Sequence, residues 1–396
     1  MTRFLPIFLF TSLTLATACS DGPELSGKIH LKAGSEWKSM VYLVDPGSWG
    51  AVAKNFSGTL LDSAAIAADG SFSFGKMPAV NGPVLLELTI QRKDQKLFPN
   101  RLEDENPAIA NYMPFIWEPG KNLNVSADAD AFQKTFTIEN PDPENAAMMQ
   151  LRDLRLSAFQ QFLSENDADT HTAEGLMNHE EALKAYQSRL MEFAEESDLL
   201  LPALTAIRWV SPEVDYERVP EFLVAMAEKW QKAAPGHPWV QQLAAIADRS
   251  KLPVLIGDTI PDYPMPMLAG DNIPLRKMLA SRLTILDLWA SWCAPCRKEN
   301  RNYLVPLWDK YHDQGFQIIG YALDAGRGAW TSAIQKDGAD RWLHASDLNG
   351  DDSPFFRTLR INTIPANFLL DAKGKVVAKN LHGEELVEWV EEWMKN

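Results

Sequence analysis

The alternation of apolar and polar residues divides the chain into three regions of different periodicity. In residues 25–140, short stretches such as GKIHLK, MVYLV, SFSF, VLLELTI and LNVSA alternate or form β-rich runs, which is the pattern of half-buried strands. The dipeptide Asp69-Gly70 between two such stretches predicts a β-hairpin turn. We therefore expect an N-terminal antiparallel β-sandwich-like domain over residues 25–140.

The periodicity becomes helical in residues 141–251. Apolar side chains recur three and four residues apart in three stripes, which begin near Met148, Leu183 and Tyr216. Such stripes are typical of the core of a helix bundle. We expect a helical middle segment here, with APGHP breaking the chain before a last short helix.

The third region, residues 252–396, alternates strands with helices. Apolar strands are predicted at 284–289, 316–323 and 366–370, followed by a turn into KVVAK and a final helix near 384–394. This order predicts an α/β sheet with helices on both faces. The whole chain is expected to be a multidomain α+β protein.

The first twenty residues, MTRFLPIFLFTSLTLATACS, have the features of an export signal. Their apolar stretch is too short to span a membrane, since a spanning helix needs about 20 residues. The small residues before Cys19 resemble a degenerate lipobox. We expect a signal peptide over residues 1–18, lipidation of Cys19 and a flexible tether over residues 19–24. Cleavage after the A-x-A sequence at 16–18, which would leave Cys19 as a free thiol, is the alternative.

The charge and the cysteine content of the chain indicate which partners and which disulfides to expect. The 396 residues include 38 Lys and Arg against 53 Asp and Glu, and the formal net charge is -15. Nucleic acid is not an expected partner, because phosphate binding requires concentrated positive charge. The chain has three cysteines. If Cys19 carries lipid, Cys293 and Cys296 can pair only with each other inside the molecule.

Cys293 and Cys296 follow an apolar run in the sequence LDLWASWCAPCRKEN. If that run is a buried strand followed by a helix, Cys293 lies at the helix N-terminus, where backbone N–H groups stabilise a thiolate. Pro295 fits the first helical turn, and Cys296, three residues on, can close a small disulfide ring. Cys293 would attack a substrate disulfide, and Cys296 would resolve the mixed disulfide.

Asp287 is the carboxylate inside this apolar run. Burying a carboxylate is unfavourable unless the group is paired or used. We therefore expect Asp287 beneath the cysteines, with a raised pKa, exchanging a proton with Cys296. Exposure of Asp287 at a strand edge is the alternative.

Three other uses of the cysteine pair are less favoured. A zinc site needs about four ligands, and the seven histidines are dispersed, so no metal is expected. A purely structural bridge is disfavoured because so short a loop constrains the unfolded chain little. A peroxidase of the peroxiredoxin type would need a nucleophilic cysteine beside Thr and Arg rather than this dithiol.

Several motifs in the third region resemble one family. LDLWASWCAPC is similar to the active-site strand and motif of thioredoxin, and NTIPANFLLDAKGKVV resembles its cis-proline loop and following hairpin. IGDTIPDY and CRKEN resemble the membrane-tethered TlpA/ResA-like branch, and the β-rich region resembles a module of unknown function found before thioredoxin domains in lipoproteins. The resemblance implies a thioredoxin-like fold over residues 252–396, with Pro365 as the cis-proline and Ile364 pairing with substrate backbone.

The resemblance also implies further site residues. Trp292, Ala294 and Pro295 would contact the substrate, and Glu299 would handle protons, although an exposed helix glutamate is the alternative for Glu299. The sequence departs from the pattern in having Ala294 in place of the Gly of cytoplasmic thioredoxin. It also has Asn367 where this branch often has Thr. These departures leave the redox poise open.

The function implied by the resemblance is thiol–disulfide exchange in the envelope of a Gram-negative bacterium. Reduction of disulfides in exported proteins is expected, with apocytochromes as candidate substrates and a thiol electron donor such as a membrane disulfide relay. The lipid would hold the chain to the membrane, facing the periplasm or on the outer-membrane surface, and no organic cofactor is implied. An oxidase or isomerase is one alternative. The other is a partner-binding lipoprotein in which the thioredoxin domain is subordinate.

Overall fold

The computed structural model describes most of the chain, namely residues 24–54, 58–95, 105–164, 172–212 and 216–395. The expected signal peptide, nearly all of the expected tether and the expected lipidation site Cys19 lie outside the described residues. Among the residues that are described, no helix is both long enough and apolar enough to cross a membrane.

The N-terminal region is rich in strands, as expected. Its strands are β1 (Leu25–His30), β2 (Trp37–Asp45), β3 (Thr59–Ala65), β4 (Ser71–Ser73), β5 (Val84–Arg92), β6 (Tyr112–Trp117), β7 (Leu123–Asp128) and β8 (Thr137–Ile138). They form two four-stranded sheets, ordered β4-β1-β7-β8 and β3-β2-β5-β6. Buried and exposed residues alternate along β7, because one face of its sheet is open to solvent.

Two details of the sheets differ from a simple antiparallel arrangement. Strands β1 and β7 pair in parallel, whereas β1 and β4 are antiparallel. The turn at Asp69-Gly70 forms, with Gly70 at a φ of 85°, but β3 pairs with β2 and β4 pairs with β1. The predicted hairpin is therefore wrong, and the turn connects the two sheets, because strands distant in sequence decide the pairing on either side of it.

The helices of the middle region pack against these sheets. They are α1 (Phe132–Thr135), α2 (Pro143–Phe162), α3 (Ala173–Glu196), α4 (Leu200–Val210), α5 (Pro220–Ala233) and α6 (Pro238–Ile246). Asp142 caps α2 by accepting a hydrogen bond from the backbone N–H of Asn145. Strands and helices share one hydrophobic core, which extends from Leu25 to Leu255.

The third region contains the predicted α/β sheet. Its strands are β9 (Pro264–Pro266), β10 (Asn272–Pro274), β11 (Leu283–Trp289), β12 (Phe316–Ala322), β13 (Leu343–Ala345), β14 (Ala366–Leu370) and β15 (Val376–Lys379). The main sheet has the order β13-β12-β11-β14-β15, and β9 and β10 form a separate pair. The central strand β11 is parallel to β12 and antiparallel to β14. All of its residues are buried, so both faces of the sheet are covered there.

The helices of this region are α7 (Ala294–Glu299), α8 (Val305–Tyr311), α9 (Arg327–Asp337), α10 (Pro354–Leu359) and α11 (Gly383–Lys395). A π-helical turn at Asn300–Leu304 joins α7 to α8 without a break. Pro306 lacks an N–H and would clash with the preceding turn of a regular α-helix, and a wider π turn relieves that crowding. A second hydrophobic core, from Val254 to Met394, belongs to this region.

The two cores meet through specific contacts. Helix α3 packs against α7, and Lys184 of α3 forms an ion pair with Glu385 of α11 at 2.6 Å. Glu221 of α5 pairs with Lys379 of β15 at 2.8 Å, and the Lys379 side chain is buried. Because a buried charge without its partner is costly, this pair favours one relative placement of the two regions.

Candidate active site

The two cysteines form a disulfide where β11 gives way to α7. Cys293 is the N-cap of α7, and its sulfur accepts a hydrogen bond from the backbone N–H of Cys296 at 3.2 Å. Pro295 occupies the first turn of the helix, where a missing N–H removes no hydrogen bond. Cys293 is 5% exposed and Cys296 2%, whereas the neighbouring Trp292 is 63% exposed. The pair therefore lies just below the surface, beside an exposed aromatic ring.

The loop before the cysteines is held by two charged residues. The backbone N–H of Ser291 donates to Asp324 at 2.9 Å, and the Ser291 hydroxyl donates to the same carboxylate. Arg297 of α7 donates to the carbonyl of Ser291 at 3.1 Å and to both oxygens of Asp337. Arg297 thus ties the active-site helix to α9 and to the loop.

Asp287 is buried in the central strand and is not exposed at an edge. It lies opposite Gly320 in β12 and Asn367 in β14. Burial raises the pKa of the Asp287 carboxyl well above its usual range, and the nearby negative charge of Glu299 raises it further. Asp287 is therefore a buried acid that binds a proton more readily than an ordinary aspartate.

Glu299, on the same helix as the cysteines, is also buried. Its two carboxylate oxygens lie 3.0 and 3.1 Å from Nδ1 of His382, in the loop before α11. The His382 side chain is 26% exposed, so it links a buried carboxylate to solvent. Sequence analysis missed His382, because nothing in the local sequence indicates a contact with a residue 83 positions away.

Asn367 accounts for the placement of His382. Its side-chain amide donates to the carbonyl of Leu381 at 2.6 Å, and its amide oxygen accepts from the Leu381 N–H at 3.2 Å. The backbone carbonyl of Asn367 accepts from the N–H of Asn380 at 3.0 Å. The strand beside Asp287 therefore holds the loop that carries His382. A threonine at this position has no amide with which to make both side-chain bonds.

The peptide bond between Ile364 and Pro365 is cis. Because Ala366 pairs with Leu288, Pro365 lies at the end of the sheet from which the chain continues to Cys293. In the part of the chain that the structure describes, the backbone N–H and C=O of Ile364 have no hydrogen-bond partner. This residue can therefore pair with an added strand.

The remaining predicted site residues differ in their exposure to solvent. Ala294, like Trp292, is exposed, whereas Pro295 is buried. Ala294 is thus available to a bound molecule, and Pro295 instead shapes the start of the helix. Among the described residues, no three His, Cys, Asp or Glu side chains are grouped to hold a metal ion.

The third region has known relatives. Residues 255–390 match the sequence model of the Redoxin family. The thiol-disulfide oxidoreductase ResA of Bacillus thuringiensis (strain Al Hakam) is 32% identical over 150 residues, which cover 38% of this chain and 81% of ResA. The thiol:disulfide interchange protein DsbE of Pseudomonas fluorescens biotype C is 26% identical over 152 residues, which cover 37% of this chain and 78% of DsbE.

Among solved structures, a thiol-disulfide oxidoreductase from Bacteroides fragilis NCTC 9343 is 31% identical. The match covers 34% of this chain and 98% of that one, with a TM-score of 0.32. The cysteine pair, Asp287, Glu299 and the cis-proline all lie within the residues that match the Redoxin model. On the similarity to ResA over most of that protein's length, the chain belongs to the thioredoxin family of thiol-disulfide oxidoreductases.

Proposed function

We propose that this protein reduces disulfide bonds of exported proteins in the cell envelope of a Gram-negative bacterium. The observation that carries the proposal is the redox-capable pair Cys293–Cys296 at the start of α7, at the same end of the sheet as a cis-proline loop with an open backbone edge. Apocytochromes are one candidate class of substrate, as the resemblance to the ResA-like branch implies.

The reaction is an exchange of two electrons. The thiolate of Cys293 attacks one sulfur of the substrate disulfide, and the other substrate sulfur leaves as a thiolate. Cys296 then attacks the sulfur of Cys293, which releases the second substrate thiolate and leaves the Cys293–Cys296 disulfide. The substrate gains two electrons and two protons. A thiol donor, such as a membrane disulfide relay, returns the pair to the dithiol.

Asp287 and Glu299 would serve the proton transfers. Cys296 is buried and must lose its proton before it attacks, and a buried acid with a raised pKa, such as Asp287, is suited to accept and return that proton. His382 would connect Glu299 to solvent, since it contacts the carboxylate and is partly exposed.

The substrate would lie across Trp292, Ala294, Ile364 and Pro365. An extended segment on one side of the substrate disulfide would pair with the free N–H and C=O of Ile364, as a strand adds to a sheet edge. The exposed ring of Trp292 offers apolar surface to the other side. Pro295 would act through the helix start rather than by contact.

The proposal includes the placement of the chain. Residues 1–18 would be removed on export, Cys19 would carry lipid, and residues 19–24 would tether the protein to the membrane, on the periplasmic side or on the outer-membrane surface. Divisions at 25–140, 141–251 and 252–396 would separate the β-rich, helical and thioredoxin-like parts.

The reduction potential of the cysteine pair, measured by equilibration with glutathione or dithiothreitol buffers, tests the direction of the reaction. A value near that of thioredoxin, about -270 mV, is expected for a reductase. A value near that of strong oxidants, about -120 mV, would instead support the oxidase alternative. A pair that does not cycle would overturn the proposal and direct attention to a binding role of the N-terminal regions.

A further inference from the structure

The cis-proline loop is in contact with the helical region. The carboxylate of Glu217, just before α5, accepts hydrogen bonds from the backbone N–H groups of Asn362 and Thr363 at 3.0 and 3.1 Å. It also accepts from the Asn362 amide at 3.0 Å and from the Thr363 hydroxyl at 2.7 Å. One side chain from outside the thioredoxin-like region thus makes four hydrogen bonds to the residues that precede Ile364.

The residue after Glu217 holds the other side of the loop. Arg218 donates from Nη1 to the backbone carbonyl of Pro365 at 3.2 Å. Hydrogen bonds to ionised groups are stronger than those between neutral groups. Residues 362, 363 and 365 are therefore held from outside, and the backbone of Ile364 between them is left open.

Glu217 and Arg218 are themselves anchored. Tyr216 is buried, with its ring stacked on Trp49 at 6.3 Å between centroids and its hydroxyl donating to the carbonyl of Ile207 at 2.9 Å. Its backbone takes a left-handed conformation, with a φ of 48°, which a tyrosine adopts only where its surroundings impose it. The two loop contacts therefore start from a fixed point in the N-terminal core.

The helical region also contacts the helix that carries the cysteine pair. Helix α3 packs against α7, which begins beside Cys293. Glu217 and Arg218 contact the cis-proline loop. The helix that carries the cysteine pair and the cis-proline loop are therefore both in contact with the helical region.

We propose that Glu217 and Arg218 are positioning residues that hold the backbone of Ile364 ready for an extended polypeptide segment. The inference rests on the proposed function and deepens it. Fixing the loop before binding removes part of the entropic cost of ordering it when substrate arrives. The helical region thereby favours disulfides within a polypeptide, which use Ile364, over small disulfides, which need only the sulfur of Cys293.

The test compares two disulfides in single-turnover reactions of the reduced full chain. Insulin presents a disulfide within polypeptide, and 5,5′-dithiobis(2-nitrobenzoate) presents one without a peptide backbone. Glu217→Ala removes all four acceptor contacts, and we expect its second-order rate constant with insulin to fall about tenfold, equivalent to about 1.4 kcal/mol. The rate constant with the small disulfide should stay within about twofold, because the cysteine pair is untouched.

Two variants serve as controls. Glu385→Ala removes another carboxylate that joins the two regions, through Lys184. Among the residues that the structure describes, the Glu385 side chain makes no hydrogen bond to the cis-proline loop. It should react with both disulfides like the unmodified protein. Glu217→Gln keeps an oxygen that can accept from the two backbone N–H groups, so it should recover much of the rate with insulin.

Amide hydrogen exchange shows whether the loop has changed. The N–H groups of Asn362 and Thr363 should exchange faster in Glu217→Ala and not in Glu385→Ala. Faster exchange with an unchanged insulin rate would overturn the inference, as would an equal fall with both disulfides. If the unmodified protein reacts with neither disulfide, the proposed function itself fails, and that result is seen before any variant is made.

Discussion

Both cores of this protein bury carboxylic acids, and the acids near the cysteine pair differ from the best-paired acid of the N-terminal core. In the N-terminal core, Glu105 pairs with Arg155 at 2.9 Å, and both side chains are buried. Tyr112 donates to the same carboxylate at 3.0 Å, and the Arg155 guanidinium lies 4.6 Å from the ring centroid of Trp209. The charge of Glu105 is matched by a buried cation, which is the pattern of a structural ion pair.

In the thioredoxin-like core, the buried Asp337 is likewise paired with Arg297 and Arg301, but the buried Asp287 and Glu299 are arranged differently. Asp287 and Glu299 interact as like charges, and the group that contacts Glu299 is the partly exposed His382. A buried acid such as Asp287, whose pKa is raised by burial and by a nearby like charge, is costly for stability and useful for proton transfer. A buried carboxylate whose pKa is raised is therefore a candidate for function, and its place in the region of the cysteine pair is what separates Asp287 from the buried Glu87 of the other core.

Removing the cation of the matched pair should have the largest effect. Arg155→Met leaves Glu105 buried without its partner, and loss of one member of a buried pair costs about 3–5 kcal/mol. We expect denaturant unfolding to show that loss of stability, while the reduction potential of the cysteine pair is unchanged in protein that remains folded. A shift in the potential would mean that the two cores are not independent in this respect.

Glu87 tests the comparison inside the N-terminal core. It is buried and accepts a hydrogen bond from the N–H of Ala53 at 2.6 Å, and burial raises its pKa to about 8. In the unfolded chain the pKa of Glu87 is about 4.3, so the folded state keeps the proton up to a higher pH than the unfolded state does. Between these values the folded protein loses stability as pH rises, by up to about 1.4 kcal/mol per pH unit.

Glu87→Gln removes that pH dependence. Relative to the unmodified protein, the variant should gain up to about 2.8 kcal/mol between pH 5 and pH 7. Chemical unfolding at the two pH values measures the difference. The rate of disulfide exchange should not change, since Glu87 lies in β5 of the N-terminal region and the cysteines belong to the other core. If the stability of the unmodified protein and that of the variant change equally between pH 5 and pH 7, Glu87 is ionised in the folded state.

Asp287→Asn is the matching change in the thioredoxin-like core. The amide keeps the shape but cannot accept a proton, and loss of a general acid–base group typically lowers a rate by about 100-fold or more, roughly 2.7 kcal/mol. We expect that fall in insulin reduction at pH 7, with folding intact. Glu87→Gln is the matched control, because it replaces a buried acid of the other core with an amide. An unchanged rate in Asp287→Asn would remove it from the mechanism.

The active site could be predicted in part because its signals are local. Cys293, Cys296 and Asp287 lie within ten residues of one another, so a strand followed by a helix is enough to relate them. The cis-proline loop could be placed only through the family resemblance. His382 could not be predicted, because its contact with Glu299 depends on a loop that Asn367 holds from a neighbouring strand.

In the β-rich region, too, the sequence predicts the local elements but not how they contact one another. Its strand content follows from alternation along the chain, but the parallel pairing of β1 with β7 and the transfer of the chain between sheets at Asp69-Gly70 do not. A strand pattern records which residues are buried and carries no information about the partner strand.

The sequence by itself therefore determined the order of strands and helices and the redox chemistry of the cysteine pair, because short-range periodicity and residue type dictate both. Only the tertiary structure decided which acids are left unmatched and that Glu217 and Arg218 reach the cis-proline loop, 145 and 147 residues away. The physical reason is that burial, charge pairing and loop support depend on distances in space, which the packing of two cores sets and the spacing along the chain does not.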